Sequence, residues 1–284
     1  MKNTLFRIAG WTAGWLPPAA IRRIYQFKPF ASLVRRMLNQ AAPAGLTSVS
    51  VAGGGLAGVK LVLDLHSEKD YWLGSYEIEL QAALRKWMRP GMVVYDVGAN
   101  IGYISLLMAR QVGDGGRVLA FEALPANLER LRLNLESSRL GEGITVIPAA
   151  VVDGEHPVRF LVGLSRGMGK AEGSAGRQEL PYQEAIEVQG ISLDHFVFEQ
   201  GNPAPELVKI DIEGGEVLAL PGMRGVLGEF HPIIFLELHG PEAAEAAWQE
   251  LVEAGYRICH MRQGYPEVTS VDRLGWKAYI VAFQ

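Results

Sequence analysis

The sequence predicts an α/β protein with a doubly wound, mostly parallel sheet and helices on both of its faces. Three observations carry this expectation. From residue 91 onward, short apolar runs alternate with segments whose apolar residues recur at helical spacing. Runs such as IIFLEL and LVKIDI are apolar on both faces, as strands must be when helices cover both sides. Acidic residues close several of these runs, at the strand ends where open α/β sheets bind ligands.

Taken in order, strands are expected at 92–96, 117–122, 144–150, 206–211, 232–238, 255–261 and 277–283. Helices are expected at 101–111, 125–138, 190–199, 214–228 and 241–254. Upstream, Ile78, Leu80, Ala83, Leu84 and Trp87 fall at helical spacing, so Ser75 to Trp87 reads as a helix ending before Pro90-Gly91. Val59 to Leu65 alternates like a strand. Ala41 to Gly58, rich in Ala, Gly, Pro and Ser, reads as a linker or loose hairpin. Residues 17–40 read as one or two short helices after the Pro17-Pro18 pair. The division expected is a basic helical and β extension over 1–74 and a main domain over 75–284. Two further runs, 157–162 and 185–190, flank a stretch with Gly163, Gly167, Gly169, Gly173 and Gly176. It reads as a solvated hairpin loop or, more sharply, as a mobile lid that shapes a substrate pocket.

With 284 residues, 49% hydrophobic and 20% charged, the chain suits one large α/β domain with appendages or two small domains. It has no run of apolar residues long enough for a transmembrane helix. The single cysteine, Cys259, permits no internal disulfide, which fits a reducing, cytoplasmic compartment. The net charge of −4 hides an asymmetry: no Asp or Glu precedes Asp64, so that segment carries +8 and the remainder −12. An acidic body binds nucleic acid poorly, so no nucleic-acid partner is expected. The N-terminus combines its Lys and Arg residues with Trp11, Trp15, Tyr25, Phe27 and Phe30. That suits contact of residues 1–40 with an anionic membrane, peripherally at the inner surface. It equally suits a helical extension packed on the body or on a second subunit, which leaves a homo-oligomer open. Residues 1–20 faintly resemble a signal peptide, but Arg7, Thr12 and the two prolines interrupt the apolar stretch, so cleavage is not expected.

The chemistry gathers in four places. In 93-VVYDVGANIG-102, Asp96 ends a strand, and Gly98 and Gly102 flank Asn100 in a sharp turn into a helix. Glycine lets the backbone approach a ligand closely, and the helix N-terminus offers it free N–H groups. The order D-x-G-x-N-x-G is not the G-x-G-x-x-G of a dinucleotide site, which counts against a nucleotide-dependent oxidoreductase. Glu122, at the end of the next strand, can accept both hydroxyls of a ribose; alone, it also suits a helix N-terminal charge. Asp211 and Glu213 in 208-VKIDIEGGE-216 close a buried strand, where a charge is costly unless used or paired. Glu237 and His239 in 235-FLELHG-240 lie two apart and share a face of an extended chain. If these strands are neighbours, Asp211, Glu213, Glu237 and His239 converge on one rim fit for a general base or a metal.

DVGANIGYISLL, FEALPANLERL, LVKIDIEGGEVLALPGM and IIFLELHG resemble the successive motifs of the FkbM family of S-adenosylmethionine-dependent methyltransferases. YWLGSYEIEL resembles that family's lead-in helix. The likeness spans roughly residues 70 to 240. It implies a class I methyltransferase fold, Rossmann-like, with a seven-stranded sheet whose last strand is antiparallel, and O-methylation of a sugar or natural-product hydroxyl. By position it implies that Asp96, Gly98, Ala99, Asn100 and Gly102 line the methionine and ribose part of S-adenosylmethionine. It places Glu122 and Ala123 at the ribose, Ala150 and Val151 beside the adenine, and Glu77 near the cofactor's amino group. Asp211 and Glu213 face the methionine end and the acceptor. In FEALP, Ala123-Leu124 departs from the Pro that many relatives carry directly after the acid. His239 is the first choice of base, because a free imidazole titrates near neutrality, and Asp211 the second. A divalent metal on Asp211, Glu237 and His239 is the lesser reading, since this donor set suits Mg²⁺ or Mn²⁺ only moderately. The expected partner is a hydroxyl-bearing glycan, lipid-linked glycan or small molecule; a protein side-chain amide is the alternative.

Overall fold

The structure, a computed structural model, describes residues 42–163, 169–176 and 182–284. The helices expected over 17–40 and the membrane-contact reading fall outside the described residues. Among those residues, no helix is long and apolar enough to cross a membrane.

The main sheet is built from β3 (Val93–Val97), β4 (Arg117–Phe121), β5 (Ile144–Ile147), β10 (Leu207–Ile210), β11 (Ile233–His239), β12 (Arg257–His260) and β13 (Lys277–Phe283). Their order is β12-β13-β11-β10-β3-β4-β5. β3, β4, β5, β10 and β11 run parallel, whereas β13 is antiparallel to both of its neighbours. This is the class I methyltransferase sheet, with its antiparallel last strand. Successive residues of each strand enter opposite cores, as the two-residue period requires. Val94, Val118, Leu207 and Phe235 join one cluster, while Tyr95, Leu119, Val208 and Leu236 join the other. Helices α2 (Ile78–Trp87) and α3 (Tyr103–Val112) cover the first face. Helices α6 (Arg224–Phe230) and α7 (Pro241–Glu253) cover the second. α4 (Pro125–Ser137) packs beside α3 through Leu128 and Leu131.

Upstream of α2, the stretch read as a linker or loose hairpin contains β1 (Leu46–Ser50), which pairs antiparallel with β2 (Lys60–Asp64), as the hairpin reading expects. Leu56, Leu61, Leu63 and Trp72, the last on α1 (Lys69–Leu73), are buried in the same cluster as Leu106 and Met108. The described part of the extension, from 42 to 74, therefore contributes side chains to the same core as the main domain.

Three expected elements are divided, each for a local reason. β5 stops before Pro148, which has no N–H for the ladder; Ala150–Val151 then form β6, paired with β9 (Tyr182–Ile191) instead. Because β9 runs on to Ile191, the helix expected over 190–199 shrinks to a π-helical turn at His195–Glu199. The helix expected over 214–228 is α5 (Glu216–Ala219), a 3₁₀ turn around Pro221, and α6. β7 (Pro157–Gly163) and β9 form an antiparallel hairpin, with β8 (Gly169–Ala171) on the outer edge of β7. After β8, Ala175 N–H donates to the Gly214 carbonyl (2.9 Å), so the described part of the glycine-rich stretch rests on the turn that follows β10.

Candidate active site

Gly98 leaves β3 with φ of 79°, in the left-handed region that favours glycine. A Cβ at this position would overlap the Asp211 carbonyl oxygen. The turn can thus pass close over the end of β10 only with glycine here. Its amides are then consumed in order. Gly98 and Ala99 donate to the Phe121 carbonyl (3.0 and 2.9 Å), and Asn100 donates to one Glu122 carboxylate oxygen (2.8 Å). The other Glu122 oxygen accepts from Leu124 N–H (2.8 Å). Glu122 therefore ties the turn after β3 to the turn after β4. Burial raises its pKa, against the two amide bonds and the Asn127 side chain. With three donors on about four acceptor sites, the carboxylate keeps room for a further donor.

Asp96 is fully buried behind the turn and does not line the cavity described below. It pairs with Lys209 Nζ (3.1 Å), its register partner on β10, and accepts from Ser105 Oγ (2.6 Å). Lys209 also donates to the Gly98 carbonyl (3.0 Å). Asp96, expected at the cofactor site, thus answers a buried lysine on the neighbouring strand of the sheet. Gly102, the N-cap of α3, is likewise absent from the lining.

A cavity of about 150 Å³ opens at the carboxyl ends of β3, β4 and β10. Gly98, Ala99, Asn100, Glu122 and Ala123 form one side of its wall. Ala150 and Val151, with Phe160 of β7, supply an apolar side, and Asp211 and Glu213 close the far end. The sequence did not single out the remaining wall, made by Tyr71, Tyr76 and Tyr103. Their rings pack together, with centroids 4.3 Å apart for Tyr71–Tyr76 and 4.9 Å for Tyr71–Tyr103. A free-lone-pair carboxylate facing an apolar slot suits a ribose bearing an adenine, so the residues present fit S-adenosylmethionine.

Beyond Asp211 the acids converge on His239. Its Nδ1 lies 3.1 Å from Glu216 Oε1, and its Nε2 lies 3.1 Å from Glu237 Oε1. Asp211 and Glu213 approach Nε2 at 3.9 and 3.7 Å. Burial alone lowers the imidazole pKa, but the bonds to Glu216 and Glu237 outweigh it and push it up to about 10. The shift favours the imidazolium at pH 7 and so weakens the reason for preferring His239 as base, titration near neutrality. Asp211 moves the other way. Burial raises it, Lys209 opposes, and the Glu237 and Glu77 carboxylates raise it further, to about 7. Glu216, fully buried, was missed as a site residue; it was visible as the last acid of IEGGE. Glu77 sits on the side of Asp211 away from the cofactor cavity and lines the neighbouring spaces.

Asp211, Glu237 and His239 offer ligand atoms within 4.8 Å of one another. Two cations already answer those carboxylates: the His239 imidazolium and Lys277, whose Nζ bonds Glu237. In this state Glu237 is already engaged by Lys277 and by the His239 ring, so no step is derived through a metal.

A doubly wound sheet with an antiparallel last strand, a glycine turn, a ribose-type carboxylate and a strand-end acid defines a cofactor-dependent transferase of the class I methyltransferase type. The profile described as the methyltransferase FkbM domain matches residues 96–258, and the chain belongs to that family of S-adenosylmethionine-dependent methyltransferases. The 31-O-demethyl-FK506 methyltransferase FkbM of Streptomyces tacrolimicus is 30% identical over 177 residues, covering 51% of this chain and 68% of its own length. The hexuronic acid methyltransferase AglP of Haloferax volcanii is 28% identical over 151 residues, covering 52% of this chain and 56% of its own length. Among solved structures, the methyltransferase FkbM from Methylobacillus flagellatus KT is 17% identical with a TM-score of 0.45, covering 77% of this chain and 53% of that one. Membership of this family sets aside the oxidoreductase alternative.

Proposed function

We propose that this chain methylates a hydroxyl oxygen of a sugar, glycan or lipid-linked glycan, with Asp211 as the general base. The observation that carries the reading is that Asp211, held near pKa 7, closes the same cavity that the glycine turn and Glu122 open. The cofactor supplies a methyl group on a sulfonium, a strong electrophile. Glu122 accepts the ribose hydroxyls, and Ala150 and Val151 flank the adenine. An alcohol is a weak nucleophile at neutral pH, and a positioned base of matched pKa contributes roughly a hundredfold or more. Asp211 takes the hydroxyl proton. His239 and Lys209, both positive, keep a useful fraction of Asp211 ionised. The relatives' names, one for a 31-O-demethyl compound and one for a hexuronic acid, favour a hydroxyl acceptor over an amide. The test is incubation of glycan, lipid and protein fractions with methyl-labelled S-adenosylmethionine, followed by mass spectrometry. Label on a sugar hydroxyl is expected; label on a protein amide nitrogen overturns the reading.

A further inference from the structure

A methyl acceptor needs its own approach to Asp211, and the cofactor cavity provides only one side of it. Along the same rim, on the β12–β13 side, lies a second cavity of about 440 Å³. Glu77 and Glu79, at the start of α2, line one wall; His260, Arg262 and Lys277 line another. The walls therefore carry opposite charge. Between the two cavities sits a void of about 10 Å³ bounded by Asp211, Glu237, Glu77 and Tyr279. Asp211 borders the cofactor cavity and this void, while Glu77 and Tyr279 border the void and the second cavity. Asp211 on one side of the void, and Glu77 with Tyr279 on the other, thus separate the two spaces.

The groups on the walls differ in how far they are committed. Lys277 is engaged by Glu237. The Arg262 side chain makes no ion pair or hydrogen bond among the described residues; only its backbone N–H and carbonyl are bonded. A guanidinium is always charged and presents a planar fork matched to carboxylates and phosphates. His260 is held neutral by burial and by Arg262, so it serves as a hydrogen-bonding group and not as a second cation. Across the cavity, Glu77 is a half-buried carboxyl on a left-handed backbone with φ of 45°, and it lines both the second cavity and the void.

We propose that this second cavity is the acceptor subsite and that it takes an anionic sugar, with Arg262 pairing the ligand's carboxylate or phosphate and Glu77 accepting from its hydroxyls. The inference rests on the methyltransferase reading above. Its test uses protein saturated with S-adenosylhomocysteine and titrated calorimetrically with methyl glucuronoside, glucose 6-phosphate and methyl glucoside. At least one anionic sugar binds about tenfold or more tightly than the neutral glucoside, a difference typical of one charge-assisted contact. Whichever of the two binds better identifies the anion as carboxylate or phosphate. Arg262→Gln abolishes the preference and leaves S-adenosylhomocysteine affinity unchanged; Arg262→Lys restores part of it. Equal binding of charged and neutral sugars, no binding of any sugar, or an Arg262→Gln protein that keeps the preference overturns the proposal. Failure of S-adenosylhomocysteine to bind the unmodified protein counts against the cofactor cavity, and is read separately from the sugar titrations.

Discussion

Replacing Asp211 by Asn probes both the base and the electrostatic cost of the site. Asn is close in shape to the protonated carboxyl but cannot ionise. In the folded chain the Asp211 pKa stands at about 7, against an ordinary 3.8. At about 1.4 kcal/mol per pH unit, that difference amounts to about 4 kcal/mol; with relaxation and water entry the working range is about 2–4 kcal/mol. The sign follows from which state holds the proton. Below about pH 4 the carboxyl is protonated in both folded and unfolded chains, and it costs nothing. As pH rises toward 7 the unfolded chain loses the proton first, so the fold is progressively penalised; above 7 the penalty is complete. Asp211→Asn is therefore more stable than the parent by about 2–4 kcal/mol at pH 8, and by less than half of that at pH 5. It also loses roughly a hundredfold or more in single-turnover methyl transfer. Urea unfolding followed by tryptophan fluorescence at the two pH values measures the first effect. Equal stabilities at pH 8, or a retained transfer rate, would refute the reasoning. A variant both more stable and less active is what a site that stores electrostatic cost for chemistry should yield.

The other predictions concern its neighbours. His239→Asn removes a cation that holds Asp211 down, so the acidic limb of the pH–rate profile moves to higher pH by about one unit, while measurable turnover remains at pH 9. Loss of turnover at every pH returns the base to His239. Lys209→Met leaves Asp96 buried and unpaired and lowers stability by about 3–5 kcal/mol in urea unfolding; a change under 1 kcal/mol means that the pair is not what holds the turn. Glu122→Ala removes the ribose acceptor and orphans the Asn100 and Leu124 amides, so S-adenosylmethionine affinity in calorimetry drops about thirtyfold or more. Unchanged affinity removes Glu122 from the site.

The main sheet was legible because its strands carry the two-sided apolar pattern that only burial on both faces produces, and most observed boundaries lie within two residues of those expected. Glycine spacing and the strand-end acid likewise pointed to the turns after β3 and β4, and nine of the expected residues line the cavity found there. What stayed hidden depends on distance along the chain. Asp96 looked like a ligand group because its partner, Lys209, is 113 positions away and meets it only through parallel register. His239 looked like a neutral base because Glu216 reaches it across a turn 23 residues upstream. The tyrosine wall joins Tyr71 and Tyr76 to Tyr103, three positions with no shared period. The broken helix at 214–228 was readable from Pro221, whereas the run of β9 to Ile191 depends on pairing with β7 and β6.

The placement of β13 has a consequence for how the molecule is put together. This strand follows β12 in the chain yet lies between β12 and β11 in the sheet. β12 has no direct ladder with the parallel strands and joins the main sheet through β13, which pairs along β11. Until β13 pairs there, the edge of β11 is an open template for another chain, the kind of transient edge on which aggregation starts. The same insertion delivers Lys277 to Glu237. One strand thus both covers the edge of β11 and places a cation on the buried Glu237, so a change that displaces β13 exposes the edge and unbalances that carboxylate together.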